Sequence, residues 1–144
     1  MQVTSKVARR TAIRHVLVAS FALMQGPSVA MAEDSRCLEF QAAALSNDVK
    51  GVADFINSHG DVNCVDPATG ETALMQAARN GSVEALKLVL LAGADIGART
   101  SSGETALTIA TITFNALERG GPSFAPLRAR IAEGIAALRQ AGAH

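Results

Sequence analysis

Apolar residues between Thr72 and Leu91 recur at helical spacing and predict two short helices. The first is expected to begin at Thr72, whose hydroxyl suits a helix N-cap, and to end at Asn80-Gly81, where glycine suits a left-handed C-cap. The second is expected from about Val83 to Leu91. Its apolar stripe consists of Val83, Leu86, Val89 and Leu90, and its solvent face of Glu84 and Lys87. Beyond it, residues 95–100 are expected to extend as a strand-like arm into a turn.

The same pattern returns further along the chain, because all five residues of Gly70–Leu74 recur as Gly103–Leu107. A period of about 33 residues is typical of a solenoid of stacked helical hairpins, and such arrays usually serve surface recognition. A degenerate earlier copy is also visible, since residues 43–49 match residues 77–83 at nearly the same spacing. Asn47 stands there in the place of Gly81, and Asn tolerates left-handed geometry better than most residues. About three repeats are therefore predicted.

The middle copy resembles an ankyrin repeat in its G-x-T-x-L-x-x-A-A-x-x-G turn and helix, its apolar second helix, and the A-G-A-D segment before a hairpin arm. The resemblance implies an all-α solenoid of about three helix-turn-helix repeats with short β-hairpin arms, at about residues 36–66, 67–99 and 100–144. Ankyrin repeats usually carry Pro and His at two positions where this chain differs. The residues found there are Ala73 and Met75, then Ala106 and Thr108. The stability that Pro and His would supply must then come from elsewhere.

The last repeat is longer than the others. Its closing Ala141-Gly142-Ala143 echoes Ala92-Gly93-Ala94 at a distance well beyond one period, which indicates an insertion near residues 114–128. Two interpretations stay open. Either the insertion lengthens a capping hairpin, since terminal repeats are atypical, or it forms a protruding binding element at Glu118–Phe124.

Residues 1–32 have the organisation of a secretory signal, with a basic start, an apolar segment at Val16–Met24 and a small-residue site. Ala30-Met31-Ala32 has the A-x-A spacing, so we expect cleavage after Ala32, a mature domain at 33–144 and a periplasmic location in a Gram-negative bacterium. The alternatives are a first helix of the fold or a membrane anchor, which would need roughly 20 apolar residues. Arg9-Arg10 also suggests a twin-arginine signal, although the residues that follow favour ordinary secretion.

Removal of such a signal changes the charge balance. The whole chain has 13 basic and 13 acidic residues, of which the signal takes four basic and none of the acidic ones. The mature chain would carry nine against 13, a net charge near −4. This excess argues against nucleic acid and against anionic membrane surfaces, both of which favour basic patches. We expect a single-domain monomer that does not insert into membranes after cleavage.

The chain has two cysteines, Cys37 and Cys64. In an oxidising compartment such a pair is most simply a disulfide. The alternative is two separately packed thiols, since helical solenoids often bury cysteine as a small apolar residue. The C-x-x-C spacing of redox catalysts is absent from the sequence.

No arrangement of residues predicts an enzyme, a metal site or a cofactor. The mature chain has two histidines, His59 and His144, without ligand spacing for zinc. Gly120-Gly121 lacks the Lys-Ser/Thr of a phosphate loop. Four phenylalanines and no Trp or Tyr leave little for stacking on nucleic acid. We therefore predict a non-enzymatic protein that works by binding.

The resemblance to ankyrin repeats implies that a protein partner is held on the concave face, by hairpin tips, arms and the ends of the first helices. At the tips the candidates are Ala68, Thr69, Glu71, Ser101, Ser102 and Glu104. At the helix ends they are Leu45, Ser46, Arg79, Asn80, Ile112 and Thr113. On the arms they are Val65 and Arg99. The two arginines are the strongest, because arginine can form paired hydrogen bonds with carboxylates.

The leading functional hypothesis is a periplasmic adaptor or chaperone-like module that binds another protein. One alternative is an inhibitor or immunity-type protein that neutralises an exported toxin or hydrolase, for which an acidic chain would suit a basic target. Another is an accessory factor in periplasmic oxidative-stress defence. An enzyme is the least supported class.

Overall fold

The computed structural model describes residues 28–144, with side chains from residue 31 onward. Most of the predicted signal segment, residues 1–32, therefore lies outside the described residues. Residues 35–144 form one compact unit. Between residues 28 and 144 no helix is both long and apolar enough to cross a membrane.

Six α-helices account for most of the described residues. They are α1 (Ser28–Ser46), α2 (Val49–Asn57), α3 (Ala73–Asn80), α4 (Val83–Leu91), α5 (Ala106–Arg119) and α6 (Ala125–Gln140), with a short 3₁₀ helix at Pro122–Phe124. Within residues 35–144 they form three successive helical hairpins, and the neighbouring first helices α3 and α5 pack closely together. The predicted all-α solenoid is confirmed.

The caps of α3 are those that the sequence predicts. Thr72 accepts a hydrogen bond from the Met75 backbone N–H, and Gly81 closes the helix at φ 63°. Thr105 caps α5 in the same way through the Thr108 N–H. In α3 the Thr72 N–H also donates to the Met75 sulfur, so a methionine completes the cap that a histidine commonly supports. The turns are thus stabilised without the Pro and His of the family pattern.

The core contains alanines on the first helices, which let the hairpins approach closely, and larger apolar side chains from both the first and the second helices. Buried residues of the core include Phe40, Ala44, Val52, Leu74, Ala77, Ala78, Leu86, Val89, Ala110, Ile131 and Leu138. One close approach is at Gly81, where a Cβ atom would lie 3.0 Å from the Arg130 Cβ and 3.1 Å from the Ile131 backbone nitrogen. Glycine is needed there for space as well as for its positive φ.

The arms between the hairpins differ from the expected β-hairpins. Among the described residues the only β-type pairing is an isolated antiparallel bridge between Val65 and Thr72. The second arm is closed by turns, with a hydrogen bond from the Thr100 N–H to the Glu104 carbonyl. Each arm is too short for a ladder, because its turn is followed almost at once by the next helix cap.

The inserted residues of the last repeat lengthen its hairpin. α5 has 14 residues and α6 has 16, compared with eight and nine in α3 and α4. Within the predicted insertion, the short 3₁₀ helix at Pro122–Phe124 connects α5 to α6. α6 packs against α5 and also against both helices of the middle repeat. A salt bridge of 2.8 Å between Lys87 and Glu133 joins α4 to α6 at the surface.

Candidate functional site

Three residues at equivalent positions of the three first helices form a row that we call the open row: Leu45, Arg79 and Ile112. The Asn80 amide and the Ser82 hydroxyl both donate to the Leu45 carbonyl, at 2.8 and 2.7 Å, which fixes the end of α1 beside the end of α3. Leu45 and Ile112 are 38% and 53% exposed. The Arg79 side chain is 45% exposed. One cation thus lies between two exposed aliphatic groups.

The adjacent row of equivalent residues, Ser46, Asn80 and Thr113, is satisfied internally. The Ser46 hydroxyl donates to the Ala42 carbonyl at 2.9 Å, and the Thr113 hydroxyl donates to the Ile109 carbonyl at 2.9 Å. Asn80 uses its amide on Leu45, as described above. The donors of this row are therefore engaged within the protein, and the open row is the better candidate for contact with a partner.

Glu71 does not project from the hairpin tip to which the sequence assigned it. It is 7% exposed, and its carboxylate accepts hydrogen bonds from the Arg79 guanidinium and from the Gln76 amide. Its backbone N–H donates a hydrogen bond to the Thr69 hydroxyl at 3.2 Å. The physical reason is that a buried carboxylate must be paired, and α3 places Gln76 and Arg79 on the side that faces it. Glu71 is therefore a residue that positions Arg79.

Gln41 contributes to the structure of the candidate site, and sequence reasoning missed it. It is 4% exposed, and its side-chain amide donates to the Glu71 carbonyl at 2.9 Å and approaches the Cys64 carbonyl at 3.5 Å. The signal was available, because Gln41 is the first-repeat equivalent of Met75 and so occupies the position where ankyrin repeats usually carry a polar His. Gln41 joins α1 to the start of the second repeat beneath the open row.

Cys37 and Cys64 are bonded as a disulfide, with their Cα atoms 6.0 Å apart. The bond ties α1 to the first arm. The Gln41 amide lies 3.5 Å from the Cys37 sulfur, so the disulfide and the buried amide hold the same junction.

The hairpin tips form one connected edge. Ser101 donates to the Thr69 carbonyl through its backbone N–H at 3.1 Å and through its hydroxyl at 2.7 Å. The Ser102 hydroxyl donates to the Glu104 carboxylate at 3.0 Å, and Ala68 is exposed without a polar side chain. Because each tip is bound to the next, the edge is preformed, but few of its donors are left for a partner.

Val65 and Arg99, the two arm residues, differ in how available their side chains are to a partner. Val65 is half exposed beside its bridge to Thr72. Arg99 is exposed and donates to the carbonyl of Gly103 at 2.8 Å, so its guanidinium lies along its own hairpin. Arg79, anchored on a buried carboxylate, is the better oriented of the two arginines.

The groups with shifted pKa values lie away from this surface. A hydrogen bond from the Asn47 amide lowers the pKa of the Glu84 carboxyl. Ion pairs with Asp54 and Glu133 raise the pKa values of Lys50 and Lys87, respectively. All three groups lie on second helices. Functional sites that perform acid–base chemistry usually concentrate such shifts, and here the shifts accompany surface pairs.

A shallow groove of about 380 Å³ lies between α1 and α2. Its floor includes Phe40 and Phe55, whose rings stack with centroids 4.1 Å apart. Its rim carries carboxylates of Glu39, Asp48 and Asp54. Between residues 28 and 144 no group of three or more His, Cys, Asp or Glu is placed to hold a metal ion.

Comparison with known proteins supplies one family and two relatives. The family model of ankyrin repeats in three copies matches residues 40–118. The ankyrin repeat and SAM domain-containing protein 6 of Rattus norvegicus is 37% identical over 67 residues, which is 46% of this chain and 8% of the relative. Its counterpart from Mus musculus is 36% identical over the same share of each chain. The chain therefore spans less than a tenth of the length of these relatives.

Proposed function

Because this chain belongs to the ankyrin-repeat family, whose members generally act as protein–protein interaction modules, we propose that it is a non-enzymatic binding protein that holds a protein partner across the open row. The observation that carries the proposal is the arrangement of Leu45, Arg79 and Ile112 on three successive first helices. The neighbouring donors are used internally, whereas these three side chains remain exposed, with Arg79 held on one side by Glu71.

The physical argument rests on preorganisation. Association costs the freedom of long side chains at an interface, by about 0.5–1.5 kcal/mol for each one immobilised. Arg79 is already held by Glu71, and the backbone of Leu45 is fixed by the bonds that Asn80 and Ser82 make to its carbonyl. A partner would therefore meet a surface for which part of the ordering cost was met on folding.

The proposed location is the periplasm, after export and cleavage following Ala32. The basic start, apolar segment and A-x-A spacing support export. A disulfide between Cys37 and Cys64 suits an oxidising compartment.

Site-specific photocrosslinking in intact cells tests the proposed surface. A photoreactive phenylalanine analogue replaces Ile112 in one variant and Leu91 in another. Both residues are exposed aliphatic side chains, at 53% and 86%, but Leu91 lies at the end of α4, outside the open row. We expect a discrete crosslinked protein from position 112 and none from position 91. Equal crosslinking from both positions, or none from position 112, would contradict the open row as the binding surface.

A second candidate, an inhibitor or immunity-type protein, is favoured by the charge distribution. Residues 33–71 carry eight acidic and two basic residues, whereas residues 72–144 carry five and seven. Three of those carboxylates line the groove between α1 and α2, which Arg36 also lines. A basic target would be attracted to this end.

Co-expression separates the two candidates. The chain is expressed together with the product of a neighbouring gene that is toxic when produced alone. Rescue of growth that is lost in a Glu39→Gln/Asp54→Asn variant, and kept when Ile112 is replaced by Ser, would favour the inhibitor. Rescue that is kept in Glu39→Gln/Asp54→Asn and lost when Ile112 is replaced by Ser would favour binding at the open row.

A further inference from the structure

We propose that the open row recognises a polyproline II segment with an acidic residue at its centre and an apolar residue three positions away on each side. The inference rests on the proposed function and names the chemistry of its partner. It follows from the order of side chains in the row, apolar then cationic then apolar, and from the spacing of the helices that carry them.

Arg79, at the centre of the open row, favours a carboxylate at the matching position of the partner. Arginine has five N–H donors in a planar fork, and Glu71 occupies part of that fork from below. Glu71 is buried and also accepts from Gln76, whereas the Arg79 side chain is 45% exposed. The exposed part of the guanidinium can donate to a second carboxylate, and charge-assisted hydrogen bonds of this kind are the stronger ones. Because Arg79 is held in one orientation, its fork favours a planar acceptor such as a carboxylate.

The flanking positions call for apolar side chains. Leu45 and Ile112 remain 38% and 53% exposed, whereas Phe40 and Ile109 of the same helices are buried in the core. Burial of apolar area contributes about 25 cal/mol per Å². Two modest contacts around one ionic contact would give recognition in which the apolar groups supply affinity and the carboxylate supplies selectivity.

The spacing selects the conformation of the partner segment. Packed helices lie about 8–10 Å apart, so successive positions of the row are separated by about that distance. A polyproline II chain has three residues per turn and rises about 3.1 Å per residue, which places every third side chain on one face at about 9 Å. A β-strand repeats a face every second residue, at about 7 Å, and fits poorly.

A helix would also return to one face after seven residues, at about 10.5 Å. It would, however, place further side chains on that face at intervals of three or four residues. The open row has one exposed side chain from each first helix, and the adjacent polar row is engaged within the protein, so these extra groups would have no apolar counterpart. The polyproline II segment has nothing on that face between its contact positions.

Synthetic peptides test the inference directly on the purified protein. The probe is fluorescein-labelled Leu-Pro-Pro-Asp-Pro-Pro-Leu, in which proline enforces the conformation. Three matched peptides carry Asn for Asp, a spacing of two residues, or the same three groups at seven-residue intervals in an alanine-rich helix. We expect the Asp peptide to bind about tenfold more tightly than the Asn peptide, and more tightly than the other two, in fluorescence anisotropy.

Variants of the protein complete a double-mutant cycle. In Arg79→Gln the Asp peptide should lose the tenfold advantage, whereas Arg139→Gln, an exposed arginine of α6, should leave it unchanged. If Arg79→Gln loses its helical circular dichroism, Arg79→Lys takes its place, because lysine keeps the charge but not the paired geometry.

Equal binding of the Asp and Asn peptides would overturn the acidic centre, and preference for the helical peptide would overturn the conformation. Failure of all four peptides to bind would overturn the inference as a whole. The proposed function is judged separately, since it depends on the crosslink from position 112 and not on any peptide.

Discussion

Gly81 illustrates how one residue can serve two requirements. Its φ of 63° favours glycine, and a Cβ atom would meet Arg130 and Ile131 of α6 at 3.0–3.1 Å. We expect Gly81→Ala to lower the free energy of unfolding by at least the roughly 1–2 kcal/mol that left-handed backbone costs a non-glycine residue. Gly134→Ala is the matched control, because its Cβ would lie in ordinary contact 3.6 Å from Leu86 within a helix. Alanine there should be neutral or stabilising. Urea denaturation measures both, and changes of the same sign would contradict this account.

The Asn47–Glu84 contact gives a pH-dependent contribution to stability. The Asn47 amide donates to the Glu84 carboxylate at 2.8 Å and lowers the pKa of that carboxyl in the folded protein. A lowered folded pKa means that the contribution is present above the unfolded pKa and is lost as pH falls through the folded one. We expect Asn47→Gly, which tolerates the positive φ found there, to raise the Glu84 pKa in a carboxyl NMR titration.

The stability difference between wild type and Asn47→Gly should accordingly shrink in acid. Part of the difference should remain, because the Asn47 side chain also accepts from the Ala85 N–H at 3.1 Å whatever the charge on Glu84. If the difference in free energy of unfolding between wild type and Asn47→Gly stayed constant from neutral pH to below the range of carboxyl pKa values, Asn47 would not be stabilising the ionised form of Glu84.

At the scale of elements, the disulfide and Gln41 together fix α1 to the first arm. The bond joins cysteines that are 27 positions apart in the chain. Its removal in Cys37→Ser/Cys64→Ser should cost about 3 kcal/mol, mainly by enlarging the freedom of the unfolded chain. Reductant should lower the urea midpoint of the wild type and leave that of the double variant unchanged. A reductant effect of the same size on both would assign the loss to something other than this bond.

The helices could be predicted from sequence because their signals are local. Thr72 and Gly81 fix the ends of α3 through contacts within a few residues, and the repeat period places the N-terminal cap again at Thr105 of α5. The tertiary placement of Glu71 could not be predicted in this way. Its burial depends on Gln76 and Arg79 from the next helix and on Gln41 from the preceding repeat, and a repeat motif does not record such contacts.

The candidate site could be predicted only as a group of equivalent positions. Position in the repeat groups Leu45, Arg79 and Ile112, since equivalent residues of a solenoid align. It could not separate them from Ser46, Asn80 and Thr113, because the difference lies in hydrogen bonds to carbonyls that only the folded backbone presents.

At the scale of the whole molecule, the proposed export predicts the N-terminal residue and the mass of the mature protein. Cleavage after Ala32 would leave a chain that begins at Glu33, with the Cys37–Cys64 bond close to its start. Intact-mass spectrometry of a periplasmic extract should give the mass of residues 33–144 less two hydrogens. Replacement of Ala32 by Glu should block cleavage and leave the longer chain, because signal peptidase needs a small residue there. A mature protein that still began at Met1 would contradict export by this route.

The lengthened last hairpin also bears on how the protein unfolds. In a solenoid each repeat contacts only its neighbours, so separate repeats can unfold one after another. Here α6 packs against both helices of the middle repeat, and Glu133 of α6 forms a salt bridge with Lys87 of α4. The last two repeats therefore share one interface that involves both helices of the middle hairpin, and we expect them to unfold as a single cooperative unit.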